Sequence, residues 1–327
     1  MTRLLITGGH GFLGSAVKRE FEQNSPHLSQ VHTFRSSEYD LRKRDAIKAL
    51  LSDKKPEVVV HLAATVGGIG ANMKYPGTFL YDNLIMGAEL IEQCRIFGIK
   101  KFVLAGTICS YPKFAAVPFK EDEIWLGYPE ETNAPYGLAK KILTVQLNAY
   151  KKQYGFNGIT LLPVNLYGPG DNFDLESSHV IPAMMRKMDA AKRAAQESVT
   201  LWGDGSPSRE FLYVDDAARA IRLATERYDA SDPVNLGSGS EITMKKLAEL
   251  IARTVEFEGQ IIWDSSKPNG QPRRSLDVSR AKQFGFTANV TLPMGLQLTY
   301  QWYLDNFAKL QELFMSSGKG EQPRTSK

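Results

Sequence analysis

Tyr136 and Lys140 stand four residues apart in Asn133-Ala134-Pro135-Tyr136-Gly137-Leu138-Ala139-Lys140. In a helix that spacing puts both side chains on one face. The pair can move a proton at an oxygen. A phenol ordinarily titrates near ~10, and a neighbouring ammonium favours phenolate and draws the value toward neutrality. The spacing arises by chance in many helices, so it needs company. Upstream, the apolar run Lys101–Ala105 ends in Gly106-Thr107-Ile108-Cys109. That places a hydroxyl and a thiol at a strand's carboxyl end, where parallel sheets flanked by helices bind their ligands.

The nucleotide-binding signal lies at the N-terminus. Thr7-Gly8-Gly9-His10-Gly11-Phe12-Leu13-Gly14 follows the strand-like Leu4-Leu5-Ile6 and opens a helical pattern. Glycines at 8, 11 and 14 allow a tight turn, close approach of backbone to a pyrophosphate, and helix-on-strand packing. Free N–H groups and the positive end of the helix dipole then face the phosphates. At the end of the second strand a carboxylate would select NAD, whereas an arginine suits the 2′-phosphate of NADP. The sequence there reads Thr33-Phe34-Arg35-Ser36-Ser37, with Glu38 close behind. Arg35 and Ser36 therefore point to NADPH. An oxidised nicotinamide would add to the downward pull of Lys140 on the Tyr136 phenol.

These residues need a scaffold, and the first half supplies an alternation. Strands are expected at Arg3–Thr7, Val31–Phe34, Val58–Ala63, Lys101–Ala105 and Gly158–Pro163, with helices near Phe12–Asn24, Arg44–Lys54, Thr78–Phe97 and Ala134–Tyr154. Such alternation predicts a Rossmann-like α/β fold, a doubly wound parallel sheet covered by helices on both faces. The glycine fingerprint, strand-end hydroxyl and Tyr–Lys helix arrive in the order this fold requires.

The second half is less regular. The glycines and prolines closing Asn165-Leu166-Tyr167-Gly168-Pro169-Gly170 mark a loop. Strands are expected at Val199–Trp202, Pro233–Leu236 and Gln260–Trp263, and helices at Pro182–Ala195, Asp215–Thr225, Lys245–Val255 and Pro293–Asn306. This predicts a smaller mixed α/β substrate domain over 166–315, partly interleaved with a cofactor domain over 1–165. Residues 316–327 are polar and Gly/Ser/Lys-rich, the composition of a mobile tail.

Composition narrows the class further. The 327 residues are 43% hydrophobic and 23% charged, enough for an ordinary buried core. Forty basic against 36 acidic residues leave a net charge of +4, too small and scattered to argue for nucleic acid. Cys94 and Cys109 are the only cysteines, so neither a disulfide framework nor a cysteine-rich metal site is expected. No apolar run approaches the ~18 residues of a membrane span, and the N-terminus lacks the form of a signal peptide. The expectation is a cytoplasmic protein with no metal. Cys94 reads as a small buried helix residue, and His61 as a packing residue at a strand end near the cofactor.

The sequence also resembles the GDP-L-fucose synthases, epimerase-reductases of the extended short-chain dehydrogenase/reductase family. The resemblance rests on Val66-Gly67-Gly68-Ile69 with Ala71-Asn72, Cys109 with Tyr111-Pro112-Lys113, and Tyr136 to Lys140. It continues through Pro163 to Pro169, Ser178-His179-Val180-Ile181-Pro182, Arg209-Glu210-Phe211-Leu212, Ser266-Lys267-Pro268-Asn269-Gly270 and Tyr300-Gln301-Trp302. It spans residues 3 to about 306. What it implies is epimerisation of GDP-4-keto-6-deoxy-D-mannose at C3 and C5, then reduction at C4 by NADPH.

On that resemblance Cys109 and His179 are the acid/base pair, Tyr136 serves the C4 oxygen, Lys140 supports it and Thr107 orients the same oxygen. Phe12, Leu13, Leu41, Asn165, Leu166 and His179 join Gly8, Gly11, Gly14, Arg35, Ser36 and Lys140 in the cofactor set. Lys187, Trp202, Arg209 and Asp277 fall to the nucleotide-sugar substrate. The family also implies a homodimer through the helices near Thr78–Phe97 and Ala134–Tyr154. Two departures stand out: Thr107-Ile108 where the family commonly has two serines, and Phe12 where its glycine turn often carries arginine.

Other activities on this fold leave different marks. Sugar dehydratases place Asp-Glu after the strand-end Thr, where this chain has Ile108-Cys109. A simple 4-epimerase has no use for a base at C3 or C5. A non-enzymatic NADP sensor has no need of the Tyr–Lys pair. Heptose-forming and 6-deoxytalose-forming reductases of GDP-4-keto sugars share much of the pattern and stay open as substrate alternatives.

Overall fold

The computed structural model describes residues 2–175, 177–267 and 269–317. Strand and helix alternate through the first half: β1 (Thr2–Thr7), α1 (Phe12–Asn24), β2 (Leu28–His32), α2 (Arg44–Lys54) and β3 (Val58–His61). α3 (Ile69–Lys74), α4 (Pro76–Ile96), β4 (Lys101–Ala105), α5 (Ala134–Tyr154) and β5 (Gly158–Pro163) follow. The apolar strands are sealed on both faces, which is why they read as continuous hydrophobic runs. Leu4 and Ile6 pack into one helical layer with α1, while Leu5 between them packs into the opposite layer with α2, α4 and α5. Strand periodicity of two makes that division.

The second half contributes β6 (Asn165–Tyr167), α6 (Val180–Arg193), β7 (Ser198–Trp202), β8 (Ser208–Tyr213) and α7 (Val214–Arg227). It goes on through β9 (Val234–Leu236), β10 (Glu241–Thr243), α8 (Met244–Val255), β11 (Gln260–Asp264) and β12 (Arg273–Arg274). It closes with α9 (Ser279–Gln283), α10 (Leu292–Asp305) and α11 (Phe307–Ser317).

The large sheet has the order β2-β1-β3-β4-β5-β9, with every pair parallel. It is a Rossmann-like doubly wound sheet. Its strand order reverses direction between β1 and β3, and the crevice beyond their carboxyl ends is where such folds bind ligands. The chain returns to this sheet late: α7 packs on α1, β9 pairs with β5, and Leu276, Phe284 and Phe286 join the same core.

A second core lies among α6, α8 and α10, around Met184, Met185, Leu247, Ile251 and Tyr303. β8 is the hub of this region. It pairs antiparallel with β10 through Ser208–Glu210, parallel with β12 through Ser208 and Arg209, and parallel with β6 through Phe211–Tyr213. β7 and β11 form a separate parallel pair.

Three expectations are corrected. Asn165–Tyr167, read as part of a loop, is a strand whose partner Phe211–Tyr213 lies more than forty residues away. Three residues are too few to show a period. The second strand runs over Leu28–His32 and not Val31–Phe34, because its register follows Thr2–Leu5 of β1, and Phe34 is buried beyond the strand's end. Ser316 and Ser317, expected in a tail, close α11; the rest of that stretch lies outside the described residues, as does Pro268.

β8 had no forecast, since its Arg209-Glu210 breaks an apolar pattern. The Glu210 carboxylate is nonetheless fully buried. It accepts hydrogen bonds from the Gly239 and Leu276 amides at 2.7 Å each and from the Ser275 hydroxyl at 3.0 Å. Burial pushes its pKa up, and three donors offset the cost of desolvating it.

Candidate active site

The glycine turn is shaped by contacts only glycine permits. Gly8 has φ +70°, and a Cβ there would stand 2.8 Å from the Ala63 nitrogen, across the β1–β3 crevice. At Gly14 a Cβ would fall 2.0 Å from the Gly8 carbonyl oxygen. α1 therefore starts hard against the turn. Its N-cap, Gly11, has no side chain to satisfy the first amides, and no acidic residue occupies the first turn. Those N–H groups are left for an anion.

At the end of β2, Arg35 and Ser36 line the same cleft. Glu38 turns away from it: its carboxylate accepts the Arg35 backbone N–H at 2.6 Å. The carboxylate beside Arg35 is thus spent on a turn, and the rim keeps a guanidinium and hydroxyls. Leu41, buried, completes this end.

The chemistry-bearing groups hang from the end of β4. A 3-10 turn over Ile108–Ser110 is capped by Thr107, whose Oγ1 accepts the Cys109 N–H at 3.2 Å. α5 packs directly on this turn. A Cβ at Gly137 would stand 2.2 Å from the Cys109 carbonyl oxygen, and the Ser110 hydroxyl donates to the Gly137 carbonyl at 2.9 Å. Adding even a methyl there forces one backbone off the other, at a cost of about 1–3 kcal/mol. The close fit brings the first turn of α5 beside Thr107 and Cys109.

The Tyr136 phenol lies beside the Thr107 hydroxyl. Burial raises its pKa, the Cys109 sulfur adds to the rise, and the Thr107 hydroxyl opposes it. The downward pull expected from Lys140 is not found, and the protein's own groups keep Tyr136 protonated. Lys140 is 2% exposed, and burial pushes it down to about 8. His61 lies behind this layer, fully buried, with its Nδ1 2.8 Å from the Thr7 hydroxyl. Burial and the Lys140 charge hold its pKa well below the usual value. Cys94 is fully enclosed, and burial pushes its thiol up.

His179 is the N-cap residue of α6, makes no side-chain cap bond, and presents a half-exposed ring to the cleft. Its Nδ1 is 3.9 Å from a carboxylate oxygen of the buried Asp171. The loop Gly67–Gly68 is bound by the Asn72 side chain at 2.9 and 3.1 Å, and Gly68 lies close to the Ser178 carbonyl. The motif around residues 66–72 thereby borders the segment carrying His179.

One cavity of about 1440 Å³ is lined by nearly all of the residues singled out from sequence. They are Gly8, Gly11, Phe12, Leu13, Gly14, Arg35, Ser36, Leu41, Thr107, Cys109, Tyr136, Lys140, Asn165, Leu166, His179, Lys187, Trp202 and Arg209. Trp202 is 61% exposed with Lys267 over its ring at 5.7 Å. Arg209 is pushed down to about 10, by burial first and then by the Arg274 charge.

Asp277 is the exception. It does not line the cavity; its carboxylate accepts the Ser279 N–H at 2.8 Å, and its backbone bonds Phe119 and Asn235. It is a turn-former ahead of α9, held low by the Ser279 side chain first and then by that backbone bond.

Sequence reasoning overlooked Arg274, which lines the cavity with a guanidinium nitrogen 3.8 Å from the Cys109 sulfur. The doubled Arg273-Arg274 was the available signal, but a pair of arginines usually means a solvated surface. Among the described residues no group of three His, Cys, Asp or Glu side chains is placed to hold a metal ion. No helix among them is long and apolar enough to cross a membrane.

With this geometry in place, comparison with known proteins adds a lineage. Residues 4–237 match the NAD dependent epimerase/dehydratase family. GDP-L-fucose synthase 1 of Arabidopsis thaliana is 40% identical over 93% of this chain and 94% of its own length. GDP-L-fucose synthase of Escherichia coli K12 is 38% identical over 93% of this chain and 97% of its own. Among solved structures, a GDP-L-fucose synthetase from Naegleria fowleri bound to NADP superposes with a TM-score of 0.85. The two share 28% identity, over 94% of this chain and 95% of that one.

Proposed function

The chain belongs to the NAD dependent epimerase/dehydratase family, within its GDP-L-fucose synthase branch, and we propose that two chemistries share its one cleft. GDP-4-keto-6-deoxy-D-mannose is epimerised at C3 and C5, then reduced at C4 to GDP-L-fucose. The observation that carries this reading is the turn after β4. It holds the Cys109 thiol and the Thr107–Tyr136 hydroxyl pair together, in a cavity that His179 also lines.

C3 and C5 both flank the ketone, so loss of either proton is stabilised as an enolate. Inversion needs one group to take a proton and another to return one to the opposite face. Cys109 and His179 form that pair. Tyr136, protonated by its surroundings, hydrogen-bonds the C4 oxygen throughout and gives it a proton on reduction. Thr107 orients the same oxygen. The cofactor NADPH supplies the hydride to C4. Once the ketone has become an alcohol the neighbouring protons are no longer acidic, and epimerisation stops.

The amides of Phe12 and Leu13 at the start of α1 suit the cofactor pyrophosphate, the Gly11 N–H being spent on the Gly8 carbonyl. Arg35 and Ser36 suit its 2′-phosphate. Leu41, Asn165, Leu166 and Lys140 line the rest of the cavity, where Lys140 would hold the nicotinamide ribose. Lys187 and Arg209 suit the diphosphate of the GDP-sugar, and Trp202 offers a stacking face. Leu80 and Tyr81 of α4 and Ile142 and Val145 of α5 expose apolar surface on two helices packed together, which supports a homodimer through that face. Two unpaired cysteines suit the reducing cytoplasm.

The test is turnover of GDP-4-keto-6-deoxy-D-mannose with NADPH in heavy water, followed by NMR. Deuterium at both C3 and C5 of a galacto-configured product is expected. A C4-reduced sugar without deuterium at either carbon would reduce the protein to a plain ketoreductase.

A further inference from the structure

Arg274 sits on the two-residue strand β12, in register with Arg209 of the parallel β8. Paired residues of adjacent strands share a sheet face, so two guanidiniums lie side by side. Arg274 is only 9% exposed. Like charges this close and this dry are unfavourable unless an anion joins them. Among the described residues no carboxylate pairs with either, although Arg273 next door is matched by Glu241 at 2.6 Å.

Among the described residues the Arg274 guanidinium makes two hydrogen bonds. Its Nε donates to the Gln271 side-chain oxygen at 2.8 Å, and a terminal nitrogen points at the Cys109 sulfur at 3.8 Å. Gln271 is itself buried and donates to the Lys113 carbonyl at 2.6 Å. The fork is therefore aimed by a neutral anchor, with one arm left for the sulfur. The other end of the contact is equally fixed, since Thr107 and Gly137 hold the Cys109 backbone.

We propose that Arg274 is the positioning residue of the Cys109 sulfur, holding it in the orientation from which it takes a sugar proton. This rests on Cys109 belonging to the acid/base pair. A neutral thiol is a weak acceptor, whereas a thiolate is a strong one that a neighbouring cation favours. The other charged or titratable groups bearing on the pair are Arg209 from β8, Tyr136 from α5, and Glu130 and Glu241 acting on Arg209. The two arginines divide the work: Arg274 serves the sulfur, and Arg209, which donates to the Ser208 and Asn269 carbonyls, keeps its remaining N–H groups for phosphate.

The contact can be read without substrate. Cys94 is fully buried, so alkylation of the folded protein by iodoacetamide reports Cys109. Arg274→Met is expected to slow that alkylation, and the kcat of deuterium wash-in at C3 and C5 without NADPH, by about tenfold, the scale of one hydrogen bond to a charged group. KM should stay within about threefold of wild type, and Arg274→Lys should recover a large part of both rates.

Unchanged alkylation and exchange, or a raised KM with unchanged kcat, would overturn the proposal. If wild-type protein showed no exchange at all, the epimerase reading would fall, and alkylation would still decide the Arg274–Cys109 contact. Should Arg274→Met not fold, Gln271→Leu frees the fork while keeping the charge. It should slow alkylation to a lesser extent; no slowing would count against the proposal.

Discussion

The cleft joins two unlike pieces. Thr107, Tyr136 and Lys140 come from one strand end and one helix within a short stretch of chain, and are locked by the contact of Gly137 with the Cys109 backbone. The residues facing them come from afar. Arg274 reaches Cys109 across 165 positions, His179 starts a helix of the second core, and Arg209 lies on the hub strand β8. The first piece is a compact proton-transfer unit buried against the sheet. The second is assembled from three elements of the smaller region and is more open, as the exposed Trp202 and half-exposed His179 show. The contrast suggests that reduction depends on the local unit, whereas epimerisation and substrate choice depend on how the second region closes over it. Cys109 belongs to both, its backbone to the first and its sulfur to the second.

The sharpest way to break that division is a crossover of two substitutions. Tyr136→Phe should cut C4 reduction, followed by NADPH consumption, by ~10²-fold or more, the usual scale for a lost general acid. Deuterium exchange at C3 and C5 should remain measurable. Cys109→Ser should do the reverse, because a serine hydroxyl, unlike a thiol, cannot ionise near neutral pH to supply a base: exchange largely lost, and reduction persisting to give an unepimerised 6-deoxyhexose. If both variants lost both activities equally, the two pieces would be one.

A smaller effect is expected at the cofactor rim. Wild-type steady-state rates should favour NADPH over NADH by about tenfold or more, from charge-assisted contacts to the extra phosphate. Arg35→Ala should erode that preference mainly through the KM for NADPH. Equal use of both cofactors by wild type would remove Arg35 from the site.

The mildest consequence concerns stability. Lys140 is pushed down to about 8 from an ordinary 10.5. Below about pH 8 folded and unfolded chains are both protonated there, and the folded state bears the full cost of a buried charge. Between about 8 and 10.5 the folded chain has released the proton while the unfolded chain keeps it, so stability rises with pH. Denaturant midpoints of wild type relative to Lys140→Met should therefore climb through that window. A flat difference would mean Lys140 holds its charge against burial.

The compact unit was almost entirely legible in the sequence. β1, β4, β5, α1, α2 and α5 show themselves locally as apolar runs and amphipathic stretches, and Gly8, Thr107, Tyr136 and Lys140 take their meaning from neighbours a few positions away. The motif around His179 was legible only through family resemblance, since nothing in its own neighbourhood states a role.

What only the tertiary structure decided is long-range. It set the pairing of β6 with β8, the buried Glu210 that ties β8 to Gly239 and Leu276, the turn-forming place of Asp277 outside the cavity, and the aim of Arg274 at a sulfur. A period needs several residues to show itself, and β12 has two. Whether an arginine there meets water or a thiol depends on register with a strand more than sixty residues earlier. That register is set by packing, and no local stretch of sequence carries it.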